Sequence, residues 1–347
     1  MPVTEAESPQ LGTSGYDLHS LAHNTLLGKR CEPREIKRTF EAGRSWVTTD
    51  LTLLVDSSSL IYRAYFSTPD TMRAPDGTEI NAAYGFLGML ARLVEDHDPD
   101  RICCAADESW RPEWRVRLID TYKTHRTEPG SIQQQTDLRL AGQIQIIFGI
   151  LELCGVSVVG YADHEAEDVI GTLARHVTGR VAIVSGDRDL FQLVRDPDVQ
   201  VFYPKRGVSV VDRVDETYIE KRFGIPGRAY RDYAILRGDS SDGLPGVRGI
   251  GEKMAASLVS TYGSLDAIVT AVEGGGGGIA LDKVRRDLSY LERAVQVVTI
   301  PTTLPLGDVD LTRPRDFPQE VHTAAQHFGL TNVVNRLVSA LTGGRSE

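Results

Sequence analysis

The sequence predicts an α/β fold in which a doubly wound, mainly parallel sheet is followed by a helical C-terminal subdomain. Three observations carry that expectation. Short apolar runs at 51–56, 101–106, 156–160 and 181–184 alternate with longer stretches of helical text, the pattern of strands joined by crossover helices. Three of the runs pass into a carboxylate at or just past their ends, at Asp56, Asp107 and Asp187. From about Asp215 the text turns mostly helical.

The 347 residues are 41% hydrophobic and 25% charged. Those proportions exclude disordered, collagen-like and coiled-coil chains, and the length suits two packed units or one large one with an appendage. Residues 1–49 mix Ser, Thr, Glu, Arg and Pro without periodicity. They read as a poorly ordered extension or an artefact of start-site choice. Residues 50–214 then form an α/β core and 215–347 the helical subdomain.

Taken in order, Leu51–Asp56 is a buried strand, with helical text through Tyr62 to Phe66 and from Asn81 to about Glu95. Arg101–Ala106 is the second strand. The stretch after it is dense in basic and aromatic residues, from Trp110 and Arg111 to Lys123 and Arg126. A long helix over 131–154 leads to the strand 156–160 and a helix opened by His164-Glu-Ala-Glu-Asp168. Val181–Val184 is the next strand, followed by two more near 199–203 and 208–211. The five glycines from Gly274 to Gly278 read as a flexible loop. Cys103 and Cys104 sit in a strand and suggest no disulfide, so a reducing cytosol is expected. The most apolar stretch, 144–160, is broken by Gln145 and Glu152 and is too short to span a bilayer. No secretory signal pattern opens the chain.

The formal net charge is −10, which by itself argues mildly against a nucleic-acid partner. Its distribution reverses the argument. Nine acids fall in short groups: Asp56; Asp107; Glu165, Glu167 and Asp168; Asp187 and Asp189; Asp239 and Asp242. Without them the balance is 39 acidic to 38 basic residues, so the acidity is that of one site. Each Asp alone reads as a helix cap or turn residue, but several strand ends converging on one sheet edge form a site. Clustered carboxylates repel one another, and hard divalent cations such as Mg²⁺ or Mn²⁺ relieve this through oxygen ligation. Two such ions about 4 Å apart suit phosphodiester cleavage. Glu165 and Asp168, three apart, share a helix face; Glu167 lies off it and serves through water or at the helix N-terminus. Zinc spacing, a G-x-x-x-x-G-K-[ST] loop and a G-x-S-x-G elbow around Ser57–Ser59 are all missing from the sequence.

Six ordered segments then resemble the bacterial 5′–3′ exonuclease family, the flap endonuclease fold that forms the N-terminal domain of DNA polymerase I. They are Val55–Arg63, Ala106-Asp107, Tyr122–Arg126, Glu165–Asp168, Ser185–Leu190 and Gly238–Lys253. The resemblance implies a PIN-like, resolvase-like sheet with a helical arch at about 108–135 and a helix-turn-helix-like DNA clamp at about 238–260. It implies metal-dependent cleavage of DNA with 5′ ends or flaps, in primer removal and repair. Asp56, Asp107, Glu165, Glu167 and Asp168 resemble the ligands of a first metal, and Asp187, Asp189, Asp239 and Asp242 those of a second. Lys123 resembles the arch cation at the scissile phosphate, with Arg115 its companion, and Tyr62 an aromatic that stacks on a terminal base. DNA contacts are implied for Arg63, Tyr122, Arg126, Gly246, Val247, Arg248, Gly249, Ile250, Gly251 and Lys253, with K⁺ at the Gly246–Gly251 turn.

The residues themselves agree with these roles. A Gly-rich turn opening a helix offers backbone N–H groups to phosphates, and basic and aromatic residues over 110–126 suit a single-strand channel. Three departures stand out. Glu167 occupies a position usually held by Asp, Gly243 one where Asn is common, and no polymerase follows, which implies a stand-alone nuclease or a paralogue. The expected partner is DNA, with a polymerase or ligase beside it, and the expected protein is a cytoplasmic monomer. The alternatives are a DNA-binding paralogue that has lost catalysis and a PIN-like RNase, the latter opposed by the clamp and the basic arch.

Overall fold

A computed structural model describes residues 50–127 and 132–343. The extension expected over 1–49 and positions 128–131 of the expected arch lie outside the described residues. Six strands form one sheet in the order β3-β2-β1-β4-β5-β6. They are β1 (Leu51–Asp56), β2 (Arg101–Ala105), β3 (Ser157–Val159), β4 (Arg180–Val184), β5 (Val199–Arg206) and β6 (Val210–Val214). The first five are parallel and β6 is antiparallel at the edge.

The central strands β1, β2 and β4 are buried and largely apolar because both sheet faces are covered there. Alternate residues enter different cores: Leu53, Val55, Cys104 and Val184 face one, and Leu54, Cys103 and Ile183 the other. Cys103 and Cys104 therefore point to opposite faces, and both are free thiols.

One face carries α1 (Ser57–Ser67), α2 (Asn81–His97) and α4 (Ile132–Leu153). In α2, Phe86, Leu87 and Leu90 are fully buried, each contributing about 1.5–3 kcal/mol of apolar transfer. The other face carries α5 (Ala166–His176). The same core continues into α6 (Glu216–Phe223), α7 (Tyr230–Arg237), α8 (Glu252–Tyr262), α9 (Leu265–Glu273), α10 (Ile279–Arg286) and α11 (Leu288–Val298). The glycine run links α9 to α10. The last two helices, α12 (Gln319–His327) and α13 (Thr331–Thr342), return to the first face. They get there through a segment that pairs with β2, where the Ile102 N–H donates to the Leu311 carbonyl at 2.8 Å.

Between β2 and α4 the described chain forms the six-residue helix α3 (Glu113–Leu118), a turn and a 3₁₀ turn at Thr124–Thr127. No single helix among the described residues is long and apolar enough to cross a membrane.

Candidate active site

The sheet order reverses around β1, which lies between β2 and β4. In open parallel sheets a crevice forms beyond the carboxyl ends of the strands at such a point. Here it is a cavity of about 1350 Å³ lined by eight of the nine acids: Asp56, Asp107, Glu165, Glu167, Asp187, Asp189, Asp239 and Asp242.

Several of these carboxylates hold their places by capping backbone. Asp56 ends β1; its Oδ1 accepts the Ser59 N–H at 3.1 Å and caps α1, while Oδ2 accepts the Ser185 hydroxyl at 2.5 Å. Asp107 accepts the Ala166 N–H at 2.7 Å and so caps α5 from the neighbouring strand end. Asp187 accepts the Asp189 N–H at 2.8 Å, and Asp239 accepts the Ser241 N–H at 2.8 Å. Capping leaves lone pairs free on each carboxylate, so the structural role and a role in the cavity coexist.

The third acidic group differs from the expected face-sharing pair. Because α5 starts at Ala166, Glu165 is its N-cap, and Asp168 accepts the Glu165 N–H at 3.2 Å. Glu167 lines the cavity, while Asp168 is fully buried away from it. Arg115 explains the turn. Rather than facing DNA as a companion of Lys123, its side chain is wholly buried and bonds Glu165, Glu167 at 2.9 Å and Asp168 at 2.5 Å. Tyr122 is likewise buried, donating its hydroxyl to Glu165 at 2.6 Å. Neither presents a surface to nucleic acid. Trp114 packs over the Arg115 guanidinium at 4.8 Å, and its indole N–H donates to the Asp163 carbonyl. Part of the basic and aromatic stretch over 110–126 therefore folds inward, because Arg115 and Lys123 find carboxylates of the site, while Arg117 stays exposed.

Lys123 and Arg126 lie in the cavity. Lys123 bonds Glu165 and stands 3.8 Å from Asp242, and Arg126 reaches Asp242 at 2.7 Å. Tyr62 lines the cavity beside Trp110. Arg63, half-buried, does not line it, and among the described residues its Nε finds no hydrogen-bond partner.

The electrostatics follow from burial. Asp56 is pushed up to about 7 by burial and by the Asp107 charge. Burial also raises Asp107, Asp168 and Asp242, against the pull of Arg115 on Asp168 and of Lys123 on Asp242. Glu167 and Asp189 rise far above the carboxylate range, Asp189 through burial and then Asp187, Asp242 and Asp239. For Glu165, burial pushes upward but is outweighed by Lys123 and Arg115, so its carboxyl stays below the usual value. A divalent cation would relieve this strain, and the all-oxygen donor set fits a hard ion such as Mg²⁺ or Mn²⁺. Among the described residues no three carboxylates converge as a ready ligand set; several turn to Arg115, Lys123 and Arg126 instead.

Four N–H groups of the Gly246–Gly251 turn are already bonded within the protein. Gly246 donates to the Tyr290 hydroxyl, Val247 to the Leu236 carbonyl, Arg248 to Asp287 and Ile250 to the Val247 carbonyl. Gly246 is required at φ 67° because a Cβ there would stand 2.4 Å from the Arg237 carbonyl oxygen. The Arg248 guanidinium pairs with Asp287, and Lys283 donates to the Gly249 carbonyl at 2.7 Å. Among the described residues Gly249 and Gly251 show no backbone donor bond. With the first N–H groups of α8, at Glu252 and Lys253, they are the donors of this turn that the fold leaves unspent.

Sequence reasoning missed Ser185, which orients Asp56, and Arg237, which donates to Asp239 at 3.1 Å. Ser185 is the first residue of the Ser185–Leu190 segment and Arg237 lies next to Gly238–Lys253, and that position is the available signal. It also missed the apolar wall of Leu140, Ile144 and Phe148 on α4. Their i, i+4 spacing was visible, but it reads equally as core.

A family model described as the 5′-3′ exonuclease N-terminal resolvase-like domain matches residues 51–224, and one described as the 5′-3′ exonuclease C-terminal SAM fold matches 225–319. A Streptomyces coelicolor protein named 5′-3′ exonuclease is 41% identical over 301 residues, 84% of this chain and 100% of that one. A Mycobacterium tuberculosis protein of the same name is 36% identical over 83% of this chain and 97% of its own length. DNA polymerase I of Mycobacterium bovis is 37% identical, but the match takes in only 28% of it. The fold is also that of bacteriophage T5 5′-exonuclease, with a TM-score of 0.60 and 15% identity over 84% of this chain and 98% of that one. Flap endonuclease-1 from Methanococcus jannaschii gives a TM-score of 0.53 at 16% identity, over 84% and 93% of the two chains. With both family models in succession and a relative matched over its whole length, this chain belongs to the 5′–3′ exonuclease family.

Proposed function

We propose that this member of the family is a divalent-metal-dependent nuclease that hydrolyses phosphodiester bonds in DNA with a free 5′ end or 5′ flap, serving primer removal and repair. The observation that carries the reading is the cavity at the sheet switch point, walled by eight carboxylates and entered by Lys123 and Arg126. The relatives named 5′-3′ exonuclease support the same direction, as does T5 5′-exonuclease, which shares the fold and binds divalent metal ions.

Asp56, Asp107, Glu165 and Glu167 would hold one ion, and Asp187, Asp189, Asp239 and Asp242 another, with Asp168 acting behind them through Arg115. Bound there, Mg²⁺ or Mn²⁺ supplies an activated water and charge stabilisation for the leaving oxygen. The chain's own groups do the rest. Lys123 sets a positive charge between the two acidic groups, where the phosphate charge develops. Trp110 and Tyr62 offer aromatic faces for an unpaired base at the wall. The N–H groups of Gly249, Gly251 and the start of α8, with Lys253, grip the duplex backbone. K⁺, expected at that turn, would have to displace the Lys283 ammonium from the Gly249 carbonyl, since the two cations repel. A cytoplasmic monomer working beside a DNA polymerase or ligase fits this activity.

The test is a 5′-labelled flap duplex incubated with the full chain and Mg²⁺ or Mn²⁺, with EDTA as control. Metal-dependent release near the junction is expected. Tight binding without cleavage in either metal would replace the proposal with a non-catalytic DNA-binding role and make Glu167→Asp the next variant.

A further inference from the structure

We infer that Gly243 is a positioning residue whose missing side chain lets the Thr121–Lys123 backbone lie against the Asp239–Asp242 loop, fixing the Lys123 ammonium in the cavity before DNA arrives. The inference rests on the role proposed above for Lys123 and names the residues that hold it in place.

Contact is made backbone to backbone. A Cβ on Gly243 would stand 2.0 Å from the Thr121 carbonyl oxygen, 3.0 Å from its carbonyl carbon and 3.3 Å from the Lys123 nitrogen. These are main-chain atoms that no rotamer change can move aside. Gly243 also has φ 70°, a region side chains disfavour. Two hydrogen bonds close the approach. The Lys123 N–H donates to the Asp242 carbonyl at 2.8 Å, and the Thr121 hydroxyl donates to the Gly243 carbonyl at 2.7 Å. Arg126 adds a third, to the Ser241 carbonyl at 2.9 Å.

From the far side, Arg111 donates to the Tyr122 carbonyl at 2.7 Å and to the Thr124 hydroxyl at 3.0 Å. Lys123 is held between these supports at φ 50°, a conformation a lysine adopts only when its surroundings impose it. Its side chain is thereby aimed across the cavity to Glu165 and is only 8% exposed. A lysine on an untethered loop would sample many positions, and fixing one of them is what raises the effectiveness of a single catalytic charge. The tether joins positions 121 and 243, so the loop bearing Asp239 and Asp242 and the loop bearing Lys123 are set by one contact.

The test compares Gly243→Ala, Thr121→Val and Thr121→Ser in the full chain with two readouts. One is trypsin cleavage at the Lys123–Thr124 bond without DNA, followed by mass spectrometry. The other is kcat and KM on a 5′ flap duplex with Mg²⁺. Gly243→Ala should speed cleavage at that bond and lower kcat, each roughly tenfold, with KM nearly unchanged, as expected for loss of about one buried hydrogen bond. Thr121→Val should move the same way by less, and Thr121→Ser, which keeps the hydroxyl, should match the native chain.

A Gly243→Ala protein with native trypsin sensitivity and native kcat overturns the inference. So does equal loss in Thr121→Val and Thr121→Ser, and if Gly243→Ala fails to fold, native behaviour of Thr121→Val does the same. Should the native chain cut no 5′-ended DNA, the functional reading fails instead, and the trypsin readout still decides whether the tether holds Lys123.

Discussion

On one side of the cavity, Glu165, Glu167 and Asp168 share a single guanidinium, Arg115, that is wholly removed from water. On the other side, Asp187, Asp189, Asp239 and Asp242 share no such guanidinium: Lys123 stands 3.8 Å from Asp242 but bonds Glu165, Arg126 pairs with Asp242 at 30% side-chain exposure, and Arg237 with Asp239 at 15%. The first group is thus held together by one charge built into the fold. The second has only a share of Lys123, and Asp189 rises far above the carboxylate range through burial and the three other Asp charges around it. An internal cation fixes geometry permanently, whereas an unneutralised cluster keeps its affinity for a cation from outside. The two sides therefore divide the work: one carries most of its counter-charge within the fold, and the other would draw it from a bound ion.

The largest effect should come from removing a charge that faces the cavity without disturbing what surrounds it. Asp107→Asn and Asp187→Asn should each lower cleavage about 10²–10³-fold, since several kcal/mol of charge stabilisation is at stake. Flap-DNA binding measured in Ca²⁺ should persist. Unfolding of either variant would mean that its capping bond, to Ala166 or Asp189, is the carboxylate's main function.

Arg115→Met attacks the internal cation. It removes the guanidinium that Glu165, Glu167 and Asp168 share, of which only Glu165 keeps a second cation, Lys123, and should cost about 3–5 kcal/mol in urea unfolding at pH 7. The loss should shrink at pH 5, where those carboxylates can take up protons. A loss below 1 kcal/mol at pH 7 would erase the contrast between the two sides.

Protons sharpen the contrast further. Asp56 has its pKa raised to about 7 from 3.8, so between those values the folded state holds a proton that unfolding releases. Its contribution to stability is therefore full below about pH 4 and is lost as pH rises towards 7. Glu165, lowered by Lys123 and Arg115 after burial has raised it, works in the opposite sense. Its contribution is present above its unfolded value and disappears as pH falls below it. Mg²⁺ must compete with the proton on Asp56, so the rise in melting temperature on adding Mg²⁺ should be larger at pH 8 than at pH 5. Equal rises at both would show that Asp56 does not meet the ion.

Much of this arrangement was legible in the sequence. Strand ends at Asp56, Asp107 and Asp187 follow from apolar runs that stop at a carboxylate, and a parallel sheet gathers such ends on one edge. What escaped depends on contacts between distant residues. Arg115 reads as part of an exposed basic stretch because its partners lie some 50 positions away and only the folded chain shows them buried. Which of Glu167 and Asp168 faces the cavity turns on α5 starting at Ala166, a difference of one residue that rotates each side chain by 100°. Gly243 was visible as a departure next to Asp242, but its neighbour is Thr121, and no local pattern joins them. The N–H groups of the Gly246 turn looked available as a set, although four are spent on Tyr290, Leu236, Asp287 and Val247.

Arg126 offers the smallest effect and the most direct comparison with Arg115, since both are arginines bonded to a carboxylate of the site. The Arg126–Asp242 pair lies at the rim, with exposures of 30% and 11%, where an ion pair contributes at most about 1 kcal/mol. Arg126→Ala should therefore leave urea stability within that amount of native. Its effect belongs to binding. Once a divalent ion takes over Asp242, the guanidinium is released to a phosphate, so the salt dependence of flap-DNA affinity in Ca²⁺ should flatten by about one unit in the log–log slope. A stability loss as large as that of Arg115→Met would make Arg126 a second internal cation and the two sides alike. A native salt slope with native stability would leave Arg126 bound to Asp242 throughout, and Lys123 would then be the cation that meets the strand.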